Sequence, residues 1–354
     1  MGALRAVVPV AQPLSSAIAG VLRDRRARGA SIHACAVALS RHRSRIGWIS
    51  RWIVGAVVLA VVVRTLQGTA LTSVVRRADY GLFIVAACLL IPNIVIQFLR
   101  WRLLVRVLDE HASHADVAAS LFSGFAWGLI TPARIGELSG RASPLRGIPP
   151  AAVVLFSSLE KLGTLGVTVA AGSVSAFLFR DTLARSFVQG GVPPGIVIVI
   201  AMVIVLAASC ALLLRRGHLR RLLDRIPGRI TEVLSTGLRS LTCRKTLVVL
   251  LFSSGFYIVF VSQFVILLIA FGSENSVSLL GGAMAVMFFK SLVPPVSVGE
   301  LGVREGVSLA VLTAFGCSPA ATVGASLTLF AINVLLPAVA GGVVLLARAR
   351  RPAN

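Results

Sequence analysis

The chain is predicted to be an all-α polytopic membrane protein, an inverted repeat with two opposed re-entrant hairpins and about six full spans. Three observations predict this. Of 354 residues, 56% are hydrophobic and 14% charged, and the mean hydropathy is +0.91, a membrane composition. Apolar segments of spanning or near-spanning length recur along the chain. One ten-residue signature, P-x-x-[IV]-G-E-L-x-x-R, occurs twice without a gap, from Pro132 to Arg141 and from Pro295 to Arg304. The chain has only seven Glu residues, and two of them, Glu137 and Glu300, hold the same place in this pattern. Each copy closes an apolar stretch too short, or too broken by Pro and Gly, for an ordinary span. Paired interrupted segments in two halves point to a transporter built from internal repeats.

The net charge of +22 is not read as nucleic-acid binding. The basic residues gather at the N-terminus, in one interhelical loop and at the C-terminus, where the positive-inside rule expects them, and such flanks attract anionic lipid head groups. The five cysteines are scattered, with no C-x-x-C and no metal spacing; they read as small packing residues with reduced thiols. No cofactor and no metal is expected.

Taken in order, residues 1–45 hold eight Arg and one Asp among Ala, Ser, Pro and Gly, which reads as a disordered basic cytoplasmic extension. Residues 46–348 form the transmembrane domain. Its apolar segments run over 46–63, 80–98, 117–130, 151–178, 192–214, 247–271, 277–293 and 306–346. A turn near 316–319 trims the last to a span over 320–346. A full crossing needs about 20 apolar residues; segments 117–130 and 277–293 fall short, and each runs into a signature copy.

Charge orients the chain. The basic N-terminus, Arg100, Arg102 and Arg106, the 215–246 loop and the tail Arg348, Arg350 and Arg351 belong inside; the 272–276 loop with Glu274 belongs outside. Arg64, Arg76 and Arg77 in the expected external loop run against this. All other assignments agree if 117–130 enters as a hairpin from the cytoplasm and 277–293 as one from outside. Repeat A then covers about 80–178, span 192–214 is a connector, and repeat B covers about 247–346. Non-helical backbone at membrane depth survives only against protein or a water-filled cavity, so the two hairpin tips are expected to meet near the midplane.

Within each signature, Pro ends the helical run and Gly136 or Gly299 permits a close approach. Glu stands four residues before Arg, on one face if the helix continues. A charge at bilayer depth is costly and marks a functional site. Arg141 and Arg304 are read as holding an anionic group, with Glu137 and Glu300 orienting them or accepting protons. The alternative is that each pair clips a bent hairpin together.

Glu160 and Lys161 lie inside span 151–178, and Lys290 inside segment 277–293. Neighbours at i,i+1 diverge by about 100° on a helix, so Glu160 is expected to meet Arg134 or Arg141 on another element and Lys161 to snorkel toward the cytoplasmic interface. Arg304 is followed by Glu305, a carboxylate the first copy lacks. At the end of span 80–98, Trp101 with Arg100 and Arg102 reads as an interfacial anchor; the sharper reading gives Arg100 or Arg102 a lipid phosphate at the cytoplasmic mouth. Asn93 and Asn333 are amides able to bond across helices. His111 and His114 fit a solvated loop. No nucleotide or nucleophile motif is present and His is absent from every span, so an enzyme is not expected.

The doubled signature, the stretch Leu99 to Arg102 and the stretch Leu159 to Lys161 together resemble the lysylphosphatidylglycerol synthase transmembrane family, the flippase-like domain proteins, over roughly residues 46–348. The resemblance implies an integral membrane protein that moves or handles a lipid, often an aminoacylated or polyprenyl-linked one. Where members make lysyl-lipids, an extra soluble domain does so; this chain is expected to be the flippase-like module alone.

The expected function is therefore translocation of an anionic, phosphate-bearing or head-group-modified lipid between leaflets of a bacterial inner membrane, with both termini cytoplasmic. The expected substrate contacts are Arg134, Glu137, Arg141, Glu160, Glu300, Arg304 and Glu305, with Arg100 and Arg102. A carrier of small soluble anions and a non-transporting scaffold for cell-envelope biosynthesis proteins are the alternatives.

Overall fold

A computed structural model describes residues 76, 78–131, 134–187, 241–274, 276–293 and 301–350. Contacts divide the chain into two units, Met1–Ser50 and Arg51–Asn354, and every described residue belongs to the second. The expected extension at 1–45, the span at 46–63, the connector at 192–214 and the signature residues Pro132, Ala133 and Pro295 to Glu300 lie outside the described residues.

Among the described residues the chain forms helices α1 (Tyr80–Leu108), α2 (His114–Ile130), α3 (Ile135–Gly140), α4 (Pro150–Leu178), α5 (Arg180–Phe187), α6 (Cys243–Ala270), α7 (Val277–Leu292), α8 (Val303–Leu312) and α9 (Pro319–Arg348). Helices α1, α4, α6 and α9 are long and apolar enough to cross a membrane. Helix α1 is interrupted at Leu89, and α9 carries a wide π turn over Ala331–Leu335. A long helix, two shorter ones and a second long helix thus follow one another from α1 to α4 and again from α6 to α9.

Local chemistry sets the helix starts. The Asp79 carboxylate accepts from the amides of Gly81 and Leu82 at 2.8 and 3.3 Å, and the hydroxyls of Ser113, Thr242, Ser276 and Ser318 cap α2, α6, α7 and α9. Such oxygens satisfy amides that the first helical turn leaves unpaired. Pro150 and Pro319 stand at the first positions of α4 and α9, where the missing N–H costs nothing.

The surface is apolar and the interior holds charge. Ile84, Ile91, Leu251, Ile258, Val343 and Leu346 are each more than 60% exposed, which suits acyl chains rather than water. Two apolar clusters mark the ends of the molecule. One joins Trp101, Leu104, Leu121, Phe156 and Val249; the other joins Ala86, Ala176, Phe264, Leu279 and Leu312. Along α1, α4 and α6 most of the buried polar residues fall between these clusters. At the first end, Asp116 and Arg348 pair at 2.8 Å, and Arg348 with Ser113 holds the Asp116 carboxyl below its ordinary value. The end of α1, the start of α2 and the end of α9 therefore share one end of the molecule.

Two glycine contacts lock the halves together. Helix α2 packs on the last part of α9, and α7 packs on α4, so the first short helix of each half rests on the last long helix of the other. A Cβ at Gly341 in α9 would lie 2.0 Å from the Phe122 carbonyl oxygen of α2, and one at Gly172 in α4 would lie 2.2 Å from Phe288 Cβ of α7. Both contacts are closer than any residue but glycine permits.

The structure corrects the reading of Trp101. Helix α1 continues through it to Leu108, and Trp101 is fully buried rather than placed as an interfacial anchor. Its indole N–H donates to the Ser120 hydroxyl at 3.1 Å, so protein groups do what head groups and water would do at an interface.

Gly341→Ala is expected to destabilise the protein by about 1–3 kcal/mol, the usual cost of overpacking. Gly342→Ala, with no atom within 4 Å of the new methyl group, is expected to be neutral or stabilising. Thermal unfolding in detergent checks the pair, and equal shifts would remove Gly341 as a contact between halves.

Candidate functional site

Helix α2 stops at Thr131, whose hydroxyl donates to the Trp127 carbonyl and accepts from the Gly136 amide, both at 2.7 Å. The chain turns back at Arg134, which has φ 54° and ψ 26°, the left-handed region and the one non-glycine position with positive φ among the described residues. Helix α3 then lies directly on α2. A Cβ at Gly124 would meet Arg141 Cγ at 2.7 Å, one at Gly128 would meet Glu137 Cβ at 3.1 Å, and one at Gly140 would meet Trp127 Cδ1 at 2.7 Å. Glycines four residues apart on both helices thus bring the charged end of the signature into the protein interior.

There the charges form one network. Arg141 Nη2 lies 3.0 Å from Glu137 Oε1, and its Nη1 donates to Glu160 Oε2. The other Glu160 oxygen accepts from Arg100 Nε at 3.0 Å and Nη2 at 2.5 Å. Arg100 Nη1 reaches Thr164 at 2.7 Å and Ser253 at 3.0 Å, tying α1, α4 and α6 together. The second Glu137 oxygen meets Lys161 Nζ at 2.9 Å and Arg134 Nη2 at 3.0 Å. The Arg141 guanidinium stacks over Trp101, 4.7 Å from the ring centre, and the Arg141 carbonyl accepts from Ser120 at 2.6 Å. Arg100, Glu137, Arg141 and Glu160 are all at least 96% buried. Charges at such depth persist only with partners of this kind.

In the second copy the described residues give Arg304 other partners. Arg304 donates from Nε to the Ser326 hydroxyl and from Nη2 to Glu305 Oε1, both at 3.0 Å, and Ser326 itself donates to that oxygen at 2.9 Å. The second Glu305 oxygen accepts from the Gly302 amide at 2.7 Å, where φ is 85°. Glu305 therefore caps α8 and orients Arg304. This corrects the rule that helical neighbours cannot pair: at a helix start the long guanidinium folds back onto the next residue.

A cavity of about 660 Å³ lies between the halves, within the range of ligand sites. Among the described residues it is lined by six cationic side chains, Arg100, Arg134, Arg141, Lys161, Lys290 and Arg304, and by two carboxylates, Glu137 and Glu160. Both carboxylates already serve cations of the network. Two stripes of polar residues run from the charged cluster along the cavity. Arg100, Gln97 and Asn93 follow one face of α1, and Glu160, Thr164 and Thr168 one face of α4. At 1.5 Å per residue the α1 stripe extends about 10 Å. It ends where Gln97 donates to Asn93 at 2.8 Å and Asn93 donates to Asn333 at 3.0 Å, the amide bond across helices that the sequence allowed. Asn333 sits in the π turn of α9.

Of the residues expected at the site, Arg100, Arg134, Glu137, Arg141, Glu160 and Arg304 line this cavity; Arg102 and Glu305 do not. Arg102 leaves the α1 face that carries Arg100, and Glu305 lies behind Arg304. Glu300 falls outside the described residues, although Val293 and Val303, on either side of its segment, both line the cavity. Lys161 does not snorkel away; its ammonium turns to Glu137. Residues not foreseen are Ser253, Phe256, Tyr257 and Phe260 on α6. Their i, i+3, i+4, i+7 spacing marks one helix face, but nothing in the sequence separates it from an apolar packing face. The paired G-x-x-x-G spacings at Gly124 and Gly128 and at Gly136 and Gly140 were the readable signal for the α2–α3 contact. Among the described residues no group of His, Cys, Asp or Glu is placed to hold a metal.

Glu160→Gln leaves two buried guanidinium groups without their shared counter-charge and is expected to destabilise the protein by about 3–5 kcal/mol. Arg134→Gln, at a partly exposed side chain, is expected to cost far less. Melting temperatures in detergent check both, and a Glu160→Gln variant that unfolds with the wild type would show that the network does not hold α1, α3 and α4 together.

The family model described as "Lysylphosphatidylglycerol synthase TM region" matches residues 47–341. No curated protein matches the chain.

Proposed function

The chain belongs to the lysylphosphatidylglycerol synthase transmembrane-region family, and from that premise we propose that it is a lipid translocase rather than an enzyme, moving an anionic, phosphate-bearing lipid between leaflets. With four apolar helices of spanning length and this family, the chain is an integral membrane protein. One observation carries the functional reading: a cavity between apolar helices whose lining, among the described residues, holds six cations and two carboxylates. Among the described lining residues cations outnumber carboxylates, a setting that suits an anion. A lipid phosphate supplies that charge while its acyl chains stay against the apolar exterior.

Guanidinium groups suit phosphate oxygens because they present paired donors in a plane. Arg134 and Lys161 are the most accessible cations of the network, with side chains 24% and 43% exposed, and Arg134 Nε has no hydrogen-bond partner. In this proposal they meet the phosphate first, and the buried Arg100–Glu160–Arg141 chain keeps the pocket polar and preorganised. The head group then follows the α1 and α4 stripes toward Asn93 and Asn333. Glu137 and Glu160 keep the arginines in place when the site empties.

The proposed transport cycle is alternating access between two repeats of opposite topology, each with a re-entrant hairpin. Three features support it: the recurring order of long and short helices, the reciprocal packing of α2 on α9 and α7 on α4, and the matching glycine contacts at Gly172 and Gly341. The proposed setting is a bacterial inner membrane, with both termini cytoplasmic and cell-envelope enzymes as neighbours that supply or consume the lipid.

Purified protein in vesicles is expected to speed the crossing of acyl-labelled phosphatidic acid. Arg134→Gln and Lys161→Gln are each expected to slow it about tenfold or more, as for loss of a charge-assisted hydrogen bond, with folding intact. No acceleration by the wild type would overturn the translocase reading, and uptake of free phosphate in its place would favour a small-anion carrier. On a cysteine-free background, Glu274→Cys is expected to react with impermeant maleimide from outside cells and Arg220→Cys only after the membrane is opened. The reverse pattern would invert the orientation.

A further inference from the structure

The cationic cluster accounts for only part of the cavity. Helix α6 presents Phe256, Tyr257 and Phe260 to it, directly beyond Ser253, which holds Arg100. Tyr257 is 93% buried by area, being 7% exposed, and its hydroxyl has no hydrogen-bond partner. Burial leaves that donor unmet at the cost of its desolvation, and because Tyr257 lines the cavity it points to a ligand oxygen. Phe256 and Phe260 are stacked with ring centres 5.9 Å apart, and the Arg100 guanidinium lies over Phe256 at 5.5 Å. The aromatic surface thus begins where the cationic cluster ends. The amides of Asn93, Gln97 and Asn333 and the Thr168 hydroxyl line the same cavity.

Neutral donors and acceptors beside aromatic faces are the chemistry that receives a hydroxyl-rich, uncharged ring. An ammonium group would need a carboxylate there, and among the described residues the two lining carboxylates, Glu137 and Glu160, are both engaged by cations. Resting on the translocase reading for its lipid source, we propose that Tyr257, with the amides of α1 and α9, forms a subsite for a polyol head group, a sugar or cyclitol esterified to the phosphate. Tyr257 donates to a ring hydroxyl, the phosphate sits among the cations, and the ring lies along Phe256 and Phe260.

Calorimetric titration of the purified full-length protein with soluble head groups tests the subsite apart from transport. Glucose 1-phosphate is expected to bind more tightly than inorganic phosphate. Tyr257→Phe removes one hydrogen bond and is expected to shrink that preference by about fivefold, the equivalent of a net hydrogen bond near 1 kcal/mol. The preference is a ratio within one protein, so a variant that folds less well still reports it. Equal affinity for the two ligands in the wild type, or tighter binding of phosphoethanolamine than of glucose 1-phosphate, would overturn the subsite. A vesicle arm separates the ligand sources: acyl-labelled phosphatidylinositol is expected to cross faster than phosphatidylethanolamine. Binding of glucose 1-phosphate without movement of any lipid would leave the subsite standing and sink the translocase reading.

Discussion

The described structure depends on one carboxylate held by two guanidinium groups. Glu160 reaches from α4 to Arg100 on α1 with one oxygen and to Arg141, just past α3, with the other. All three side chains are buried, and none could remain charged there alone, since an unpaired charge in the interior costs several kcal/mol. The pairing therefore fixes where α3 must lie, and α3 must be close enough to α2 for its glycines to be obligatory. Apolar packing at the two ends of the molecule supplies most of the burial, but it is not directional. The charged layer between those ends sets the register.

This arrangement divides labour among the charges. Arg100, Arg141 and Glu160 are nearly closed off by their mutual contacts, whereas Arg134 and Lys161 are more exposed and share Glu137. In the proposed translocase the first group would keep the site polar when empty and the second would exchange partners with the lipid phosphate. Among the described residues of the second half, Arg304 leans on Glu305 and Ser326.

Much of this could be read from the sequence. The short apolar segments before each signature, the long helices beside them and the Glu137–Arg141 pair all follow from hydropathy, Pro and Gly placement and helical spacing. The meeting of Glu160 with Arg141 followed from the rule that a buried carboxylate needs a cation elsewhere. Other features were hidden for identifiable reasons. Hydropathy ended the first span near Phe98, because a scale cannot know that Arg100 will find Glu160 or that Trp101 will find Ser120. Arg304 pairs with its own neighbour because a helix start relaxes the geometry of a regular turn. Tyr257 is one aromatic residue among many apolar ones, and only its place on a cavity wall sets it apart.

The backbone at Arg134 carries a further consequence. A side chain held in the left-handed region costs of order 1 kcal/mol or more, which glycine or asparagine would relieve. Arginine nonetheless occupies the bend, and its guanidinium meets the Glu137 carboxylate at 3.0 Å. A residue chosen for comfort of the main chain would discard the cation, so this corner of the molecule tolerates local discomfort to keep a positive charge beside Glu137.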